Sequence, residues 1–181
     1  MAPSLTRREA LGGAAAAVLL GSCGGGDPPA GGARPGSGAA LLGSLLALEH
    51  AVVAAYGACE EVLRGDALRE ARAIRLQERD HVTRLAGVIR ELGGEPPRGK
   101  SAREYARTFP RLRSPDDALR FADDLEQSQV RAYLDALTDL PDLGLRRTAA
   151  EIGAEEGAQL AAVRVLQTLP AAQGPFVTGA L

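Results

Sequence analysis

An apolar period of about 3.6 residues recurs in four segments of this chain, and it is the feature that most restricts the possible folds. The predicted helices A to D cover residues 39–63, 67–92, 115–138 and 144–168. Aromatic residues make up only 3% of the chain and there is no Trp, so the core is built from small and aliphatic side chains. Such a composition favours packed helices over a sandwich of strands. We therefore expect an all-α fold.

Local signals place some of the helix ends. Ser114 followed by Pro115 is the expected start of helix C, since Ser caps helix N-termini and Pro suits the first helical position. The stretch Gly-Gly-Glu-Pro-Pro at 93–97 is a typical end for helix B.

The connections between the segments predict how the helices are arranged. The A–B and C–D connections are short, so each pair should form an antiparallel hairpin. The connection 93–113 between B and C is long enough to travel the length of a bundle, which would make B and C parallel. The predicted architecture is two antiparallel hairpins joined by a long crossover.

The two predicted hairpins also repeat each other. Residues 49–56 (EHAVVAAY) match residues 126–133 (EQSQVRAY) at Glu, Val, Ala and Tyr. In the second helix of each hairpin Glu78 corresponds to Glu156, with a histidine three residues later in one copy and a glutamine in the other. Helices A and C, and helices B and D, therefore read as two copies of one unit.

Each predicted helix carries one glutamate on its inward stripe. These residues are Glu49, Glu78, Glu126 and Glu156. Burying an isolated carboxylate is costly, four together repel one another, and no Lys or Arg shares the inward stripes. Two divalent cations would balance four carboxylates, and His81 adds an imidazole suited to iron, manganese or zinc. We therefore expect two divalent metal ions in a carboxylate-bridged site.

This pattern resembles the ferritin-like superfamily of di-iron and di-manganese carboxylate proteins. The resemblance rests on one Glu from each of two helices, Glu-x-x-His from a third, and the long crossover, and it covers about residues 40–168. It implies a ferritin-like four-helix bundle that binds iron in preference to manganese. It also implies redox chemistry with oxygen or peroxide, such as the oxidation of ferrous iron.

Gln159 departs from the family pattern, because it stands where a second histidine is expected. The resemblance implies a firm first site and a weaker second site. The first site consists of Glu49, Glu78 and His81, and the second of Glu126, Glu156 and the bridging Glu78, with Gln159 beside them. The departure leaves open an alternative function, a metal-free bundle that serves as an interaction module in the cell envelope.

Further residues near these positions are open to two interpretations. Tyr56 and Tyr133 lie two turns beyond their glutamates, where each hydroxyl could support a carboxylate of the antiparallel partner helix. The alternative is a core tyrosine with some other hydrogen-bond partner. Glu155 competes with Glu156 for the inward position, and the repeat favours Glu156. His50 is expected at the surface or between helices.

The N-terminal 23 residues predict an export signal. Arg7 and Arg8 precede a short apolar run, which resembles a twin-arginine signal; an ordinary basic region is the alternative. Residues 20–23 (LGSC) resemble a lipobox with Cys23 as the lipidated residue; plain signal cleavage is the alternative. Residues 24–38 are a Gly/Pro-rich tether.

These segments predict a protein anchored through lipid to the outer face of the cytoplasmic membrane, or one in the periplasm or cell envelope. Residues 169–181 are read as a C-terminal tail. The net charge of −2, with both signs well mixed, argues against a nucleic-acid partner. Metal ions and a membrane are the expected partners, and a homodimer is left open. Cys59 is expected to be a small buried apolar residue.

Overall fold

The computed structural model describes residues 37–171, and they form helices and the loops between them. The helices are α1 (Ser37–Val62), α2 (Gly65–Glu91), α3 (Ala102–Ala106), α4 (Pro115–Asp139) and α5 (Leu143–Leu166). Predicted helices A, B, C and D correspond to α1, α2, α4 and α5, whereas the one-turn α3 was not predicted. The export signal with Cys23, and most of the tether and tail, lie outside the described residues.

The helix ends follow from local chemistry. The Ser114 hydroxyl accepts a hydrogen bond from the backbone N–H of Asp117 at 3.1 Å, which confirms the predicted cap of α4. After α2, Gly93 has a φ of 75°, and the N–H groups of Gly93 and Gly94 bond back to the carbonyls of Arg90 and Ile89. This is a Schellman motif, and the left-handed backbone it requires suits glycine.

Side-chain pairs show the direction of α4 relative to α1. Tyr56 of α1 contacts Glu126 of α4, while the earlier Glu49 of α1 contacts the later Tyr133 of α4. The two helices therefore run antiparallel. The connection between α1 and α2 is too short for anything but a reversal, so α1 is antiparallel to α2 as well.

Side-chain pairs also show the direction of α5 relative to α2. Arg84 of α2 pairs with Glu151 of α5, and the earlier Gln77 pairs with the later Gln159, so these helices are antiparallel. Because α1 is antiparallel to both α2 and α4, the last two are parallel, and the segment between them must cross the bundle. The predicted topology of two hairpins with a long crossover is confirmed.

The apolar core of the bundle is divided into two clusters. One contains Leu42, Leu45, Leu46, Leu85, Ala86, Ile89, Tyr133, Ala136, Leu140, Leu145, Ala149 and Ile152. The other contains Val52, Tyr56, Cys59, Leu63, Ala71, Ile74, Ala118, Leu119, Ala122 and Val163. Burial of each large aliphatic side chain contributes roughly 1.5–3 kcal/mol to folding. The gap between the clusters, around residue 49 of α1 and residue 78 of α2, is filled by polar groups.

Two further features concern α1. By length and composition alone residues Gly38–Val62 could also cross a membrane, but in this bundle Leu42, Leu46 and Val52 are fully buried against the other helices. Cys59, as predicted, is a buried apolar-type residue. Burial raises the pKa of its thiol to about 12, so it remains protonated.

Candidate metal centre

A layer of buried ionisable side chains crosses the bundle between the two apolar clusters. This carboxylate layer consists of Glu49, Glu78, His81, Glu126 and Glu156. The four glutamates come one from each long helix and are completely inaccessible to solvent, while His81 is 3% exposed. Within residues 37–171, no Lys or Arg forms an ion pair with them. The sequence-predicted residues are thus brought to one level of the bundle.

Four members of the layer lie close enough together to share one ion. One potential ligand atom from each of Glu49, Glu78, His81 and Glu156 lies within 4.8 Å of the other three. The Nδ1 atom of His81 is 2.9 Å from Glu156 Oε1, 3.7 Å from Glu78 Oε2 and 3.8 Å from Glu49 Oε2. One ring nitrogen therefore faces three carboxylates from three helices.

Glu156 belongs to this four-residue group, although it was predicted to form part of the second site. Glu126 is the layer member outside the group. The grouping follows from packing, since α2 and α5 are neighbours and bring His81 directly opposite Glu156.

The other ring nitrogen of His81 has a partner that was not predicted from the sequence. His81 Nε2 lies 2.8 Å from Glu155 Oε2, and the Glu155 side chain is 55% exposed. Glu156 takes the buried position, as the repeat indicated, but Glu155, about 100° round the helix, faces α2. A histidine that binds metal through one nitrogen usually donates its other N–H to a carboxylate. Glu155 is placed to accept that bond.

Each tyrosine contacts a glutamate of the other hairpin. The hydroxyl of Tyr56 donates to Glu126 Oε1, and that of Tyr133 donates to Glu49 Oε1. Burial raises the pKa of both hydroxyls, and the adjacent carboxylates raise them further, so both tyrosines are neutral donors. Of the two interpretations left open by the sequence, the structure shows the contact with the carboxylate of the antiparallel helix.

Two glutamines complete the layer. Gln129 of α4, which is fully buried, donates from Nε2 to Glu156 Oε2 at 2.5 Å and to Glu78 Oε2 at 3.3 Å. Gln159 donates instead to Gln77 Oε1 at 3.2 Å. Gln129 has no role in the sequence-based predictions, although it lies on the same inward stripe as Glu126; a polar residue on a buried stripe was the available signal.

Protonation of some of its members stabilises the carboxylate layer in addition to the hydrogen bonds. Burial holds the pKa of Glu49 and of Glu126 well above the usual range and raises that of Glu156 to about 7. Burial alone would raise the pKa of Glu78 too, but hydrogen bonds to His81 and Glu49 lower it. Burial would lower the pKa of His81, yet the surrounding carboxylates of Glu156, Glu49 and Glu78 raise it. An imidazolium and protonated acids therefore balance the charge of the layer.

The donor atoms of the four-residue group fit a metal ion. Glu49 Oε2 and Glu78 Oε1 are buried without a hydrogen-bond partner, and His81 Nδ1 and Glu156 Oε1, 2.9 Å apart, have no partner other than each other. Each buried atom left unsatisfied costs about 1–3 kcal/mol, and Glu126 Oε2 and Gln129 Oε1 in the same layer also lack partners, so the layer favours a bound cation. Oxygen and imidazole donors together suit iron, manganese or zinc.

Comparison with known proteins identifies the family and the fold. A family model described as a ferritin-like domain matches residues 37–169. The chain belongs to the ferritin-like domain family. Its bundle is similar to the crystal structure of a conserved hypothetical protein from Mycobacterium tuberculosis, with a TM-score of 0.66 and 17% sequence identity. The alignment covers 74% of this chain and 99% of that one, and at this identity it shows the shared fold.

No curated protein matches the chain. The ferritin-like domain therefore stands on the family match, the fold and the buried Glu and His residues that could hold a metal ion.

Proposed function

We propose that this ferritin-like protein is exported, tethered to a membrane through Cys23, and binds iron, in preference to manganese, in its carboxylate layer. The single observation that carries the proposal is the buried four-residue group, in which one potential ligand atom from each of Glu49, Glu78, His81 and Glu156 lies within 4.8 Å of the other three. A bound iron ion would supply one-electron redox chemistry toward oxygen or peroxide, including the oxidation of further ferrous iron.

The residues of the chain have distinct parts in this proposal. Glu49, Glu78, Glu156 and His81 Nδ1 would hold the ion, and Glu155 would keep the proton of His81 on Nε2 so that Nδ1 is free to bind. The apolar clusters on both sides exclude bulk water from the layer. A second ion, held by Glu126, Glu156 and Glu78 beside Gln159, would be weaker.

Metal content of the purified protein tests the proposal. The mature chain, taken from its own export pathway, is expected to carry at least one equivalent of a transition metal by elemental analysis. The metal-free protein should regain one equivalent on anaerobic titration with Fe²⁺, and His81→Ala with Glu78→Gln should abolish the uptake. A wild-type protein that retains and takes up less than half an equivalent of any transition metal contradicts the proposal.

The tether has a separate experiment. The N-terminal motif with Arg7, Arg8 and Cys23 supports lipid anchoring after export. The wild-type protein should partition into the detergent phase of a cell extract, and Cys23→Ala should move to the aqueous phase. Equal partitioning of the two proteins would contradict lipidation of Cys23.

Two features of the layer favour a second candidate function, a metal-free interaction module of the envelope. The amides of Gln159 and Gln129 are engaged with other side chains, and protons already balance much of the layer's charge. This candidate predicts a protein that binds no metal and whose melting temperature is unchanged by a chelator.

A further inference from the structure

We infer that Gln129 determines how many ions the centre binds: its carboxamide blocks the second site, so that only one ion is held tightly. The inference rests on the proposed function, since it requires that the four-residue group binds an ion. It concerns a residue that neither the inward glutamates nor the Glu-x-x-His motif would single out.

The amide of Gln129 contacts two of the three carboxylates that would form the second site. Its Nε2 donates to Glu156 Oε2 at 2.5 Å and to Glu78 Oε2 at 3.3 Å. The third carboxylate, Glu126, lies one helical turn earlier on the same helix. The NH₂ group is therefore hydrogen-bonded to Glu156 and Glu78 oxygens that a second ion would need.

The two oxygens of Glu156 are divided between two tasks. Glu156 Oε1 lies 2.9 Å from His81 Nδ1 and remains for an ion there, whereas Glu156 Oε2 accepts from the amide. Glu78 Oε2 accepts from the amide and also lies 3.7 Å from His81 Nδ1, while Glu78 Oε1 is buried without a partner. A second ion could bind to the Oε2 atoms only if the amide of the fully buried Gln129 moved away or rotated.

The two halves of the repeat differ in a consistent way. Gln129 corresponds in the repeat to Val52, an apolar residue that sends no polar group toward the first site. His81 of the first half pairs with Glu155, whereas its counterpart in the second half, Gln159, pairs with the neutral Gln77. The second site thus lacks an imidazole and is also occupied by an amide.

Exchanging Gln129 for its repeat counterpart tests the inference. The metal-free mature protein, Gln129→Val and the control Gln127→Val are each titrated with Mn²⁺, and bound ions are counted by equilibrium dialysis and electron paramagnetic resonance. Gln127 lies on the same helix but bonds to Asp123 rather than to the carboxylate layer. Gln129→Ala is included in case valine is not accommodated, and circular dichroism verifies folding.

Wild type and Gln127→Val should bind one Mn²⁺ per chain, with a second at least about 100-fold weaker. Gln129→Val or Gln129→Ala should bind two ions, with the second within about tenfold of the first, and show the spin-coupled signal of neighbouring manganese ions. Two ions of similar affinity in wild type, or a single ion in both Gln129 variants, would overturn the inference and leave the proposed function intact. A wild-type protein that binds no ion would overturn both.

Discussion

The hydroxyl of Tyr133 on α4 donates a hydrogen bond to the carboxyl of Glu49 on α1, so a residue of one hairpin orients an acid of the other. Tyr56 on α1 forms the reciprocal bond to Glu126 on α4. Each tyrosine belongs to the apolar cluster on one side of the carboxylate layer, which gives its ring a fixed position. The two bonds therefore couple the hairpins at the level of the candidate metal centre.

Removing either hydroxyl should destabilise the bundle. Tyr133→Phe leaves both oxygens of Glu49 without a partner, because Oε2 already lacks one, and Tyr56→Phe does the same to Glu126. We expect each variant to lose about 1–3 kcal/mol of unfolding free energy in the metal-free protein, measured in urea. Tyr105→Phe, in the crossover and away from the layer, is the control. A loss no larger than that of the control would contradict the role assigned to these bonds.

His81 should account for most of the stabilisation by metal. At a metal concentration about a hundredfold above Kd, binding adds about 2.7 kcal/mol to the wild-type stability, enough to raise Tm by several degrees. His81→Gln should lose most of this increment. The chelated variant should also be less stable than chelated wild type, because the imidazolium facing Glu156 is lost. The measurement is a set of four melts, each protein with metal and with chelator. A metal-dependent shift that is the same in both would exclude His81 as a ligand.

Glu155 should affect metal affinity more than stability. Its side chain is largely exposed, so Glu155→Gln disturbs little packing, but it weakens the acceptor that holds His81 Nε2–H. Loss of such a partner typically lowers metal affinity about 10–100-fold. Glu151→Gln is the matched control, since Glu151 is a partly exposed acid one turn earlier that pairs with Arg84 and Arg147. Competition titration with a metallochromic chelator should show a loss for Glu155→Gln alone; equal affinities would refute the positioning role.

Rising pH should destabilise the metal-free protein, whereas bound metal should stabilise the fold. In the metal-free protein the pKa of Glu156 is raised to about 7, so the folded state binds more protons than the unfolded state between the ordinary value of 4.5 and that pKa. Stability from this group is present at low pH and is lost as pH rises through about 7, by roughly 3 kcal/mol. The raised pKa of His81 likewise makes stability fall as pH rises above the ordinary value of 6.5.

Metal must displace these protons, so its stabilising effect should increase with pH. Denaturant unfolding at about pH 5.5 and about pH 8 should show that the chelated protein weakens with rising pH while the difference between loaded and chelated protein widens. If the stability difference between loaded and chelated protein narrowed with rising pH, the protons displaced by metal would come from groups other than Glu156 and His81.

Much of the bundle could be predicted because residues close together in the sequence determine the helices, their buried faces and their ends. The spacing of apolar residues determines which face of a helix is buried, and this alone placed Glu49, Glu78, Glu126 and Glu156 on inward stripes. Loop length determined which helices are antiparallel, and the cap at Ser114 depends on residues within one turn. The short α3 was missed because a single turn capped by Ser101 and Glu104 has no apolar period.

The sequence by itself determined the four long helices, their connections and the inward acids, while the export signal stays a prediction. Only the tertiary structure decided which oxygen meets which nitrogen: that Glu156 joins His81, that Glu155 reaches the other ring nitrogen, and that the Gln129 amide lies between Glu78 and Glu156. The physical reason is that these contacts depend on the rotation and the axial offset of one helix against its neighbour. Those quantities result from side-chain packing across the whole bundle, which residue spacing along one helix does not encode.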